Sequence, residues 1–286
     1  MPEKRIGRAR APGALTIINA IAALRGSAFA IDLYTEAEVE IDEEKDGITG
    51  DIEGDSQEDT EMVERCVELV LNRFNVDAGA HVSTESEIPM ASGLKSSSAA
   101  ANAATLATLD ALEEEMDEVE ATKIGVKASV DAGVTVTGAM DDAASSMLGG
   151  VVMTDNSENK LVKHEDFDYH CAVYIPDEKA RSVDTDIDRS KLVDTVVNQA
   201  FENAVEGKYE AAMTTNGFAY CAALDFEEEI IMEALEHAPA ASLSGTGPSF
   251  GAIGAKEEVE KVAEEWRERP GEVLILETVN EGGEKL

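Results

Sequence analysis

Apolar residues recur every three to four positions in several parts of the chain, and this period predicts amphipathic helices. The clearest case is the segment 60–74, in which one face carries Met62, Val63, Cys66, Val67, Val70 and Leu71. The alanine-rich segment 99–112 and the segment 119–132 are predicted to form two further helices. In the second half of the chain, helices are predicted at 191–204, 209–213, 227–236 and 256–267.

Other segments alternate between apolar and polar residues or are rich in β-branched residues, and these predict strands. Within 6–33, two such runs separated by Arg25-Gly26-Ser27 predict a hairpin. Residues 42–59 are strongly acidic and are interpreted as a loop. Further strands are predicted at 36–41, 80–88, 161–164, 169–175 and 273–279. Together these elements predict an α+β fold.

A loop rich in serine leads from the strand at 80–88 into the alanine-rich helix. Its residues are Pro89, Met90, Ala91, Ser92, Gly93, Leu94, Lys95, Ser96, Ser97, Ser98 and Ala99. The first N–H groups of a helix lack intrahelical partners and carry the positive end of the helix dipole. Gly93 lets the backbone approach a ligand closely, and the serines add hydroxyl donors. The loop is therefore a candidate phosphate site, although an ordinary capped helix shares these features; the Walker and Rossmann patterns are both missing from it.

The order of residues in this loop, Pro-x-x-x-Gly-Leu-x-Ser-Ser-x-Ala, resembles the signature of the GHMP kinases. Lys95 and the third serine are most similar to the shikimate kinase branch of archaea. The resemblance implies that the loop binds ATP and that Ser97 is a ligand of Mg²⁺. It also implies two domains, an N-terminal α/β domain over 1–150 that carries the phosphate loop and a C-terminal ferredoxin-like domain over 151–286.

Two neighbouring aspartates, Asp141 and Asp142, are the second candidate feature. Taken alone, they also fit an ordinary helix N-terminus. The segment from Gly138 to Gly150 resembles the one in which GHMP kinases place an acidic catalytic residue, and Asp141 falls on that position. Homoserine kinases lack this residue. The family also has a second Mg²⁺ ligand shortly before the catalytic aspartate, for which Asp131 is the nearest match.

A third glycine-rich cluster lies at 242–252, and it reads either as a tight turn between two strands or as the third GHMP motif. The resemblance implies substrate binding by Gly245, Thr246 and Gly247. Asn19 lies in a run similar to the first motif, which lines the acceptor site; Ala14 stands where many family members have a lysine. Homoserine kinases place an arginine near the substrate at the position of Arg181, and a guanidinium suits a carboxylate, although an ordinary surface arginine also fits this position.

The formal net charge is −37, from 60 acidic and 23 basic residues spread along the chain. Such a polyanion would repel nucleic acid, so nucleic-acid binding is excluded. Disorder is not favoured, because 43% of the residues are hydrophobic and the patterned segments are long. The charge instead suggests the surface of an enzyme from a halophile. No apolar run reaches membrane-spanning length, which predicts a cytoplasmic protein that does not bind a membrane.

The resemblance implies phosphoryl transfer from ATP to a small-molecule hydroxyl, most closely the 3-hydroxyl of shikimate. Three alternatives stay open: another GHMP kinase, acting on homoserine, mevalonate or a sugar; an inactive ligand sensor on the same fold; and an interaction protein for a basic partner. The presence of Asp141 and Ser97 disfavours the sensor, and the even spread of acidity disfavours the basic partner. The sequence leaves the oligomeric state open, with a homodimer as one option.

We expect the protein to be folded and active in molar KCl and to lose structure in dilute buffer. Without counterions the excess of 60 carboxylates over 23 cations is poorly screened, and their mutual repulsion opposes folding. Circular dichroism during stepwise dilution of KCl measures this loss. A native, cooperatively unfolding protein in dilute buffer would contradict the halophilic interpretation.

Overall fold

The structure is a computed structural model that describes residues 4–53, 59–89, 91–135, 138–177 and 187–286. The described residues form a seven-stranded sheet and a four-stranded sheet with helices packed on them, which confirms the predicted α+β fold. In chain order the strands are β1 (Arg5–Ile18), β2 (Arg25–Asp42), β3 (Ile48–Ile52), β4 (Gly79–Ser86), β5 (Val151–Asp155), β6 (Lys160–Glu165), β7 (His170–Pro176), β8 (Ala240–Leu243), β9 (Phe250–Gly254), β10 (Gly271–Glu277) and β11 (Glu284–Lys285).

Seven of the nine α-helices among the described residues fall close to predicted segments, and those at 140–148 and 187–190 were not predicted. These nine helices are α1 (Glu61–Arg73), α2 (Ser96–Leu112), α3 (Glu118–Asp131), α4 (Met140–Leu148), α5 (Ile187–Ser190), α6 (Asp194–Val205), α7 (Tyr209–Leu224), α8 (Glu229–Leu235) and α9 (Lys256–Trp266), with a 3-10 turn at Lys191–Val193. All six apolar residues that predicted α1 are buried, as the helical period requires. The helix predicted at 209–213 extends to Leu224. Its later residues are mostly small and apolar and show little helical period, so the sequence pattern did not reveal them.

The seven-stranded sheet is organised around β2. The strand β1 pairs with β2 along most of its length, while β4 pairs with the C-terminal half of β2 and β5 pairs with its first residues. The helix α2 packs across β1 and β2 at very short range, since a Cβ atom at Gly7 would lie 2.2 Å from the Ala107 carbonyl oxygen. Gly7 permits this approach of the α2 backbone, and the small alanine side chains of α2 pack closely beside it, which holds the loop before α2 against the sheet.

The four-stranded sheet is antiparallel and has the strand order β10-β7-β9-β8. The described chain leads from β7 through the four helices α5 to α8 into β8 and β9, and then through α9 into β10. This is the split β-α-β arrangement of a ferredoxin-like unit, with its first and third strands in the centre. The ferredoxin-like topology predicted for the C-terminal part is therefore present.

Three details of the predicted elements differ from the structure. Residues 25–27 begin β2, and the turn of the first hairpin is formed by residues 19–24 instead. The acidic segment 42–59 contains β3, which pairs in parallel with β4 and has only half-buried isoleucines at its two ends. The strands β5 and β6 follow residue 150 yet belong to the first sheet, so the sheet changes only after Glu165. The division of the chain into domains at residue 150 stays a prediction.

A continuous apolar core joins the two sheets. It contains Leu15 and Phe29 from the first sheet, Val173 and Phe250 from the second, and Trp266 from α9. A separate cluster packs α1, α2 and α3 on the other face of the first sheet. No helix among the described residues is long and apolar enough to cross a membrane.

Candidate active site

A cavity of about 840 Å³ opens where the N-termini of α2 and α4 meet the β1–β2 connection and the β8–β9 loop. This volume is in the usual range for a small-molecule site. Its walls include residues from each of the sequence motifs, among them Asn19, Lys95, Ser97, Asp141, Asp142 and Gly245. Motifs that are more than a hundred residues apart in the sequence therefore form one site.

The serine tract forms the first turn of α2. The first intrahelical bond is donated by the Ala99 N–H to the Lys95 carbonyl oxygen at 3.1 Å, so the N–H groups of Ser96, Ser97 and Ser98 have no acceptor within the helix. No side chain caps this end, and its first turn contains no acidic residue. The three serines line the cavity, and their hydroxyls form no hydrogen bond within the described residues. Such a helix end attracts anions.

The backbone of the phosphate loop is held by the β8–β9 loop. Gly93 has a φ of +83°, and a Cβ atom at this position would lie 2.7 Å from the Ser244 carbonyl oxygen. The Ser244 hydroxyl in turn donates to the Gly93 carbonyl oxygen at 2.8 Å. On the other side, the Ala14 N–H donates to the Leu94 carbonyl oxygen at 3.1 Å. Glycine is required here because the two loops are in direct contact.

Asn19 fixes the position of the β8–β9 loop at the cavity. Its side-chain amide donates to the Gly245 carbonyl oxygen at 2.7 Å, and its side-chain oxygen accepts from the Ile21 N–H at 3.0 Å. The Gly245 N–H donates to the Thr16 hydroxyl at 3.0 Å. Gly245 and Thr246 line the cavity. Gly247 does not, since it lies against the ring of Phe226.

The carboxyl group of Asp141 is almost completely buried at the start of α4, with 4% of the residue exposed. Its Oδ1 atom accepts a hydrogen bond from the Asn156 side-chain amide at 2.8 Å. The Asn156 oxygen is itself bonded to the Thr154 hydroxyl at 2.7 Å, which fixes the orientation of the amide. The Oδ2 atom lies 2.3 Å from the place where a Cβ atom at Gly26 would be, so only glycine leaves room for the carboxylate.

Burial raises the pKa of the Asp141 carboxyl to about 7, from an ordinary value of 3.8, and the neighbouring charge of Asp142 acts in the same direction. The hydrogen bond from Asn156 and the Lys95 ammonium favour the ionised form and act against this pKa shift. A carboxylate with a pKa near neutrality can accept a proton at physiological pH more readily than an ordinary aspartate. Asp141 therefore has the properties of a general base.

Asp142 lies beside Asp141 and faces Lys95. The Lys95 Nζ atom is 3.1 Å from Asp142 Oδ1, a distance that makes an ion pair. The geometry is not that of a hydrogen bond, and Oδ1 is buried without a hydrogen-bond partner in the described residues. The pair connects the start of α2 to the start of α4 across the cavity.

The other residues of the predicted ATP-binding loop fall into two groups, one at the cavity and one behind it. Ala91, Gly93 and Lys95 line the cavity together with the three serines. Pro89, Ser92, Leu94 and Ala99 lie behind them: Ser92 is buried and donates to the Pro89 carbonyl oxygen at 2.6 Å, and Leu94 belongs to the apolar core. Met90 and Arg181 lie outside the described residues.

Asp131 is not brought to the cavity. It ends α3, and its Oδ2 atom accepts hydrogen bonds from Arg65 Nε at 2.8 Å and Lys127 Nζ at 3.0 Å. Both partners lower the pKa of this carboxyl. Because two cations already occupy the carboxylate and Asp131 does not line the cavity, we leave it out of the proposed metal site.

Sequence patterns do not reveal several of the residues that support this site. Asn156 donates to the Asp141 carboxylate and Gly26 leaves room for it. Asn216 accepts a hydrogen bond from the Asn19 N–H, and Thr16 accepts one from the Gly245 N–H. Each acts through a contact between distant segments. Asn156 directly follows the short apolar strand β5, and a polar residue at a strand end is only a weak sequence signal of a functional position.

Comparison with known proteins places these features in a family. Residues 61–150 match the model of the GHMP kinases N terminal domain. A homoserine kinase from Cytophaga hutchinsonii has the same fold, with a TM-score of 0.80 over 100% of this chain and 99% of its own, at 16% identity. A mevalonate kinase from Methanococcus jannaschii superposes with a TM-score of 0.77, covering 96% of this chain and 98% of its own, at 15% identity. These structures show the GHMP kinase fold that the sequence predicted.

Two curated relatives are far more similar in sequence. The shikimate kinase of Halobacterium salinarum is 51% identical over 269 residues, which cover 93% of this chain and 95% of the relative. The shikimate kinase of Methanosarcina mazei is 50% identical over 279 residues, covering 97% of this chain and 95% of the relative. At this identity and coverage, the chain belongs to the family of these shikimate kinases, within the ATP-dependent GHMP kinases.

Proposed function

We propose that this kinase transfers the γ-phosphoryl group of ATP to the 3-hydroxyl of shikimate. The observation that supports this most directly is that the buried Asp141 carboxyl and the uncapped N-terminus of α2 meet at one cavity. Phosphoryl transfer to a hydroxyl requires an anion-binding site for the phosphates of ATP beside a group that accepts the hydroxyl proton. The names of the relatives that are about half identical favour shikimate as the acceptor.

The phosphates of ATP would lie against the first turn of α2. The three unpaired N–H groups and the serine hydroxyls are donors for phosphate oxygens, and the helix dipole favours their negative charge. The buried Ser92 and Leu94 support the loop from behind and leave its cavity side to the ligand.

Mg²⁺, when bound with ATP, would compensate charge on the phosphate oxygens. The residues at the cavity fit it, because the Ser97 hydroxyl is an oxygen donor that lines the cavity and has no hydrogen-bond partner in the described residues. Within the same residues, no group of three or more acidic, histidine or cysteine side chains forms a ready metal cluster. The Ser97 oxygen suits Mg²⁺, which usually takes one or two protein oxygens and completes its coordination with phosphate and water.

The reaction requires one proton transfer and one exchange of bonds at phosphorus. The acceptor oxygen forms a bond to the γ-phosphorus, the bond from this phosphorus to the β–γ bridging oxygen breaks, and the electron pair stays on that oxygen in ADP. Asp141 accepts the proton of the acceptor hydroxyl. Its raised pKa suits this role, and its hydrogen bond to Asn156 holds one carboxylate oxygen in place.

Shikimate carries a carboxylate, which calls for a cation on the acceptor side of the cavity. Within the described residues, the lysines and arginines that line the cavity are Lys95 and Lys191. Lys191 is 60% exposed and pairs with Asp188 at 2.9 Å. We keep Arg181 as the proposed carboxylate-binding residue, on the basis of the family resemblance and the geometry of a guanidinium.

Release of ADP in molar KCl, measured with shikimate, homoserine and mevalonate in parallel, tests the acceptor. We expect turnover with shikimate and little or none with the other two compounds. Turnover with homoserine or mevalonate alone would identify another GHMP kinase activity. A protein that binds ATP but releases no ADP with any of the three would favour the inactive sensor.

Ser97→Ala should severely reduce turnover of Mg·ATP, because it removes a hydroxyl that faces the cavity. Ser92→Ala is the matched control within the same loop, since the Ser92 hydroxyl is buried and donates to the Pro89 carbonyl oxygen. Loss of that bond should lower the free energy of unfolding by about 1 kcal/mol and leave the KM for ATP almost unchanged. Equal kinetic effects of the two substitutions would show that the family motif has been placed in the wrong register.

We also propose a cytoplasmic location, because ATP and metabolic acids are available there; for the state in solution a homodimer stays one option. Sedimentation of the protein in molar KCl tests the second point. A single species with the mass of the 30.4 kDa chain would contradict the dimer.

A further inference from the structure

Lys95 is the most buried cation among the ion pairs of the described residues. Its side chain is 10% exposed. Every other lysine or arginine in such a pair is at least 23% exposed, the next being Arg269. In a protein with few cations and a large acidic surface, one ammonium group has been placed inside the active-site cavity.

The Lys95 ammonium lies at the junction of the three motifs. Its Nζ atom is 3.1 Å from Asp142 Oδ1 at the start of α4. It also lies 2.7 Å from the place where a Cβ atom at Gly245 would be, so the ammonium is in direct contact with the β8–β9 loop. The backbone of Lys95 itself is the N-cap of α2, directly before the serine tract.

The protein leaves this ammonium incompletely satisfied. An ammonium group has three N–H donors, yet the Lys95 Nζ atom forms no hydrogen bond within the described residues. Its only ion-pair partner there, the Asp142 carboxylate, is also left without a hydrogen bond at the facing oxygen. Burial of a charge is unfavourable unless it is paired and hydrogen-bonded. The Lys95 and Asp142 side chains are only 10% and 17% exposed, both line the cavity, and the facing Asp142 oxygen is buried without a hydrogen bond. This arrangement indicates that a ligand completes the ammonium.

We propose that the Lys95 ammonium binds the γ-phosphoryl group of ATP, and that it leaves Asp142 to do so. This inference rests on the proposed function and deepens it by assigning the residue that recognises the group to be transferred. The serine tract and the N–H groups of α2 would hold the rest of the triphosphate, while Lys95 extends from the same helix end towards Asp141 and Asp142.

The position suits the charge changes of the transfer. As the bond to the acceptor oxygen forms and the bond to the bridging oxygen breaks, negative charge remains on the non-bridging oxygens of the γ-phosphoryl group. A cation between the helix end and the general base stabilises that charge and holds the phosphorus close to the acceptor oxygen. Lys95 therefore contacts the reacting group, whereas Asn19 and Asn156 only position other residues.

Binding affinities separate this role from a general effect on the loop. Calorimetry in molar KCl with Mg²⁺ would compare ADP with a non-hydrolysable ATP analogue for the wild-type protein and for Lys95→Met, a neutral side chain of similar length. We expect the affinity for the ATP analogue to fall about ten- to a hundredfold, as for a lost charge-assisted contact, and the affinity for ADP to change less than about threefold. Lys95→Arg should retain part of the preference for the analogue.

Lys127→Met is the matched control, since Lys127 is 55% exposed and pairs with Asp131 away from the cavity. It should leave both affinities unchanged. The double variant Lys95→Met/Asp142→Asn distinguishes a phosphate contact from simple neutralisation of Asp142. If Lys95 only neutralises Asp142, the double variant regains affinity for the ATP analogue, and the proposal is wrong; we expect no recovery.

Different results would contradict the proposed function and the proposed role of Lys95. A wild-type protein that neither binds ATP nor releases ADP with any acceptor would contradict the proposed function. An active wild-type protein whose Lys95→Met variant keeps its preference for the ATP analogue over ADP would overturn the role of Lys95 alone, as would an equal loss of affinity for both. A thermal unfolding curve of each variant in molar KCl confirms that the measurements are made on folded protein.

Discussion

Asp141→Asn is expected to lower kcat by about 10²–10⁴-fold, which is the usual contribution of a general base. The substitution keeps the size of the side chain and its hydrogen bond from Asn156, but it removes the proposed acceptor of the hydroxyl proton. ATP binding, followed by calorimetry, should remain close to normal, because the serine tract and the N-terminus of α2 are unchanged. The loss should therefore appear in kcat with little change in the KM for ATP.

The neighbouring Asp142→Asn provides the control. Asp142 lies in the same helical turn and carries the same charge, but it pairs with Lys95, whereas the Asp141 carboxylate accepts a hydrogen bond from Asn156. We expect a much smaller loss of kcat from this substitution. A larger loss for Asp142→Asn than for Asp141→Asn would exchange the two roles. Nearly normal kcat in both variants would remove the acidic base and favour a homoserine-kinase type of mechanism.

Asp141→Asn should also stabilise the ligand-free protein. Burial and the charge of Asp142 raise the pKa of Asp141 from 3.8 to about 7, which means that the ionised form is unfavourable in the folded state. Each pKa unit corresponds to about 1.4 kcal/mol, so Asp141→Asn should raise the free energy of unfolding by roughly 2–4 kcal/mol above neutral pH. A residue whose removal increases stability and abolishes activity is kept for its function.

The gain in stability has a defined dependence on pH. Between about pH 4 and pH 7 the folded state holds a proton on Asp141 that the unfolded chain releases, so the wild-type protein loses stability as the pH rises through this window. The asparagine variant lacks this loss. Its advantage in free energy of unfolding should therefore grow from pH 5 to pH 7 and then become constant. Denaturant titrations in molar KCl at pH 5, 6, 7 and 8 measure it, and an advantage that is equal at all four values would contradict the raised pKa.

Local patterns in the sequence were sufficient for the parts of the structure that depend on local interactions. The apolar period of 60–74 predicted α1 within one residue at each end, and all six residues of its predicted face are buried. The serine tract before an alanine-rich segment predicted a helix N-terminus, and the structure places that end at Ser96. Capping, helical period and small residues are read directly from neighbouring positions, so these predictions needed no tertiary information.

Features that depend on contacts between distant segments could not be predicted in the same way. Asp131 was the nearest match to the second Mg²⁺ ligand implied by the family resemblance, but it pairs with Arg65 from α1, a contact that the sequence does not reveal. The short strand β3 was hidden by its acidic surroundings, because its pairing with β4 stabilises it more than its own composition does. The hydrogen bond from Asn156 to Asp141 and the ion pair from Lys95 to Asp142 likewise require the folded structure.

Identification of the reaction product tests the proposed function most directly. The wild-type protein would be incubated with ATP, Mg²⁺ and shikimate in molar KCl, and the products followed by ³¹P NMR, with Asp141→Asn as the negative control. We predict that the signal of the ATP γ-phosphate is replaced by a phosphate monoester coupled to the proton at carbon 3 of shikimate, with ADP formed in equal amount. ADP and free inorganic phosphate without a shikimate ester, or an ester at another hydroxyl, would contradict the proposed function.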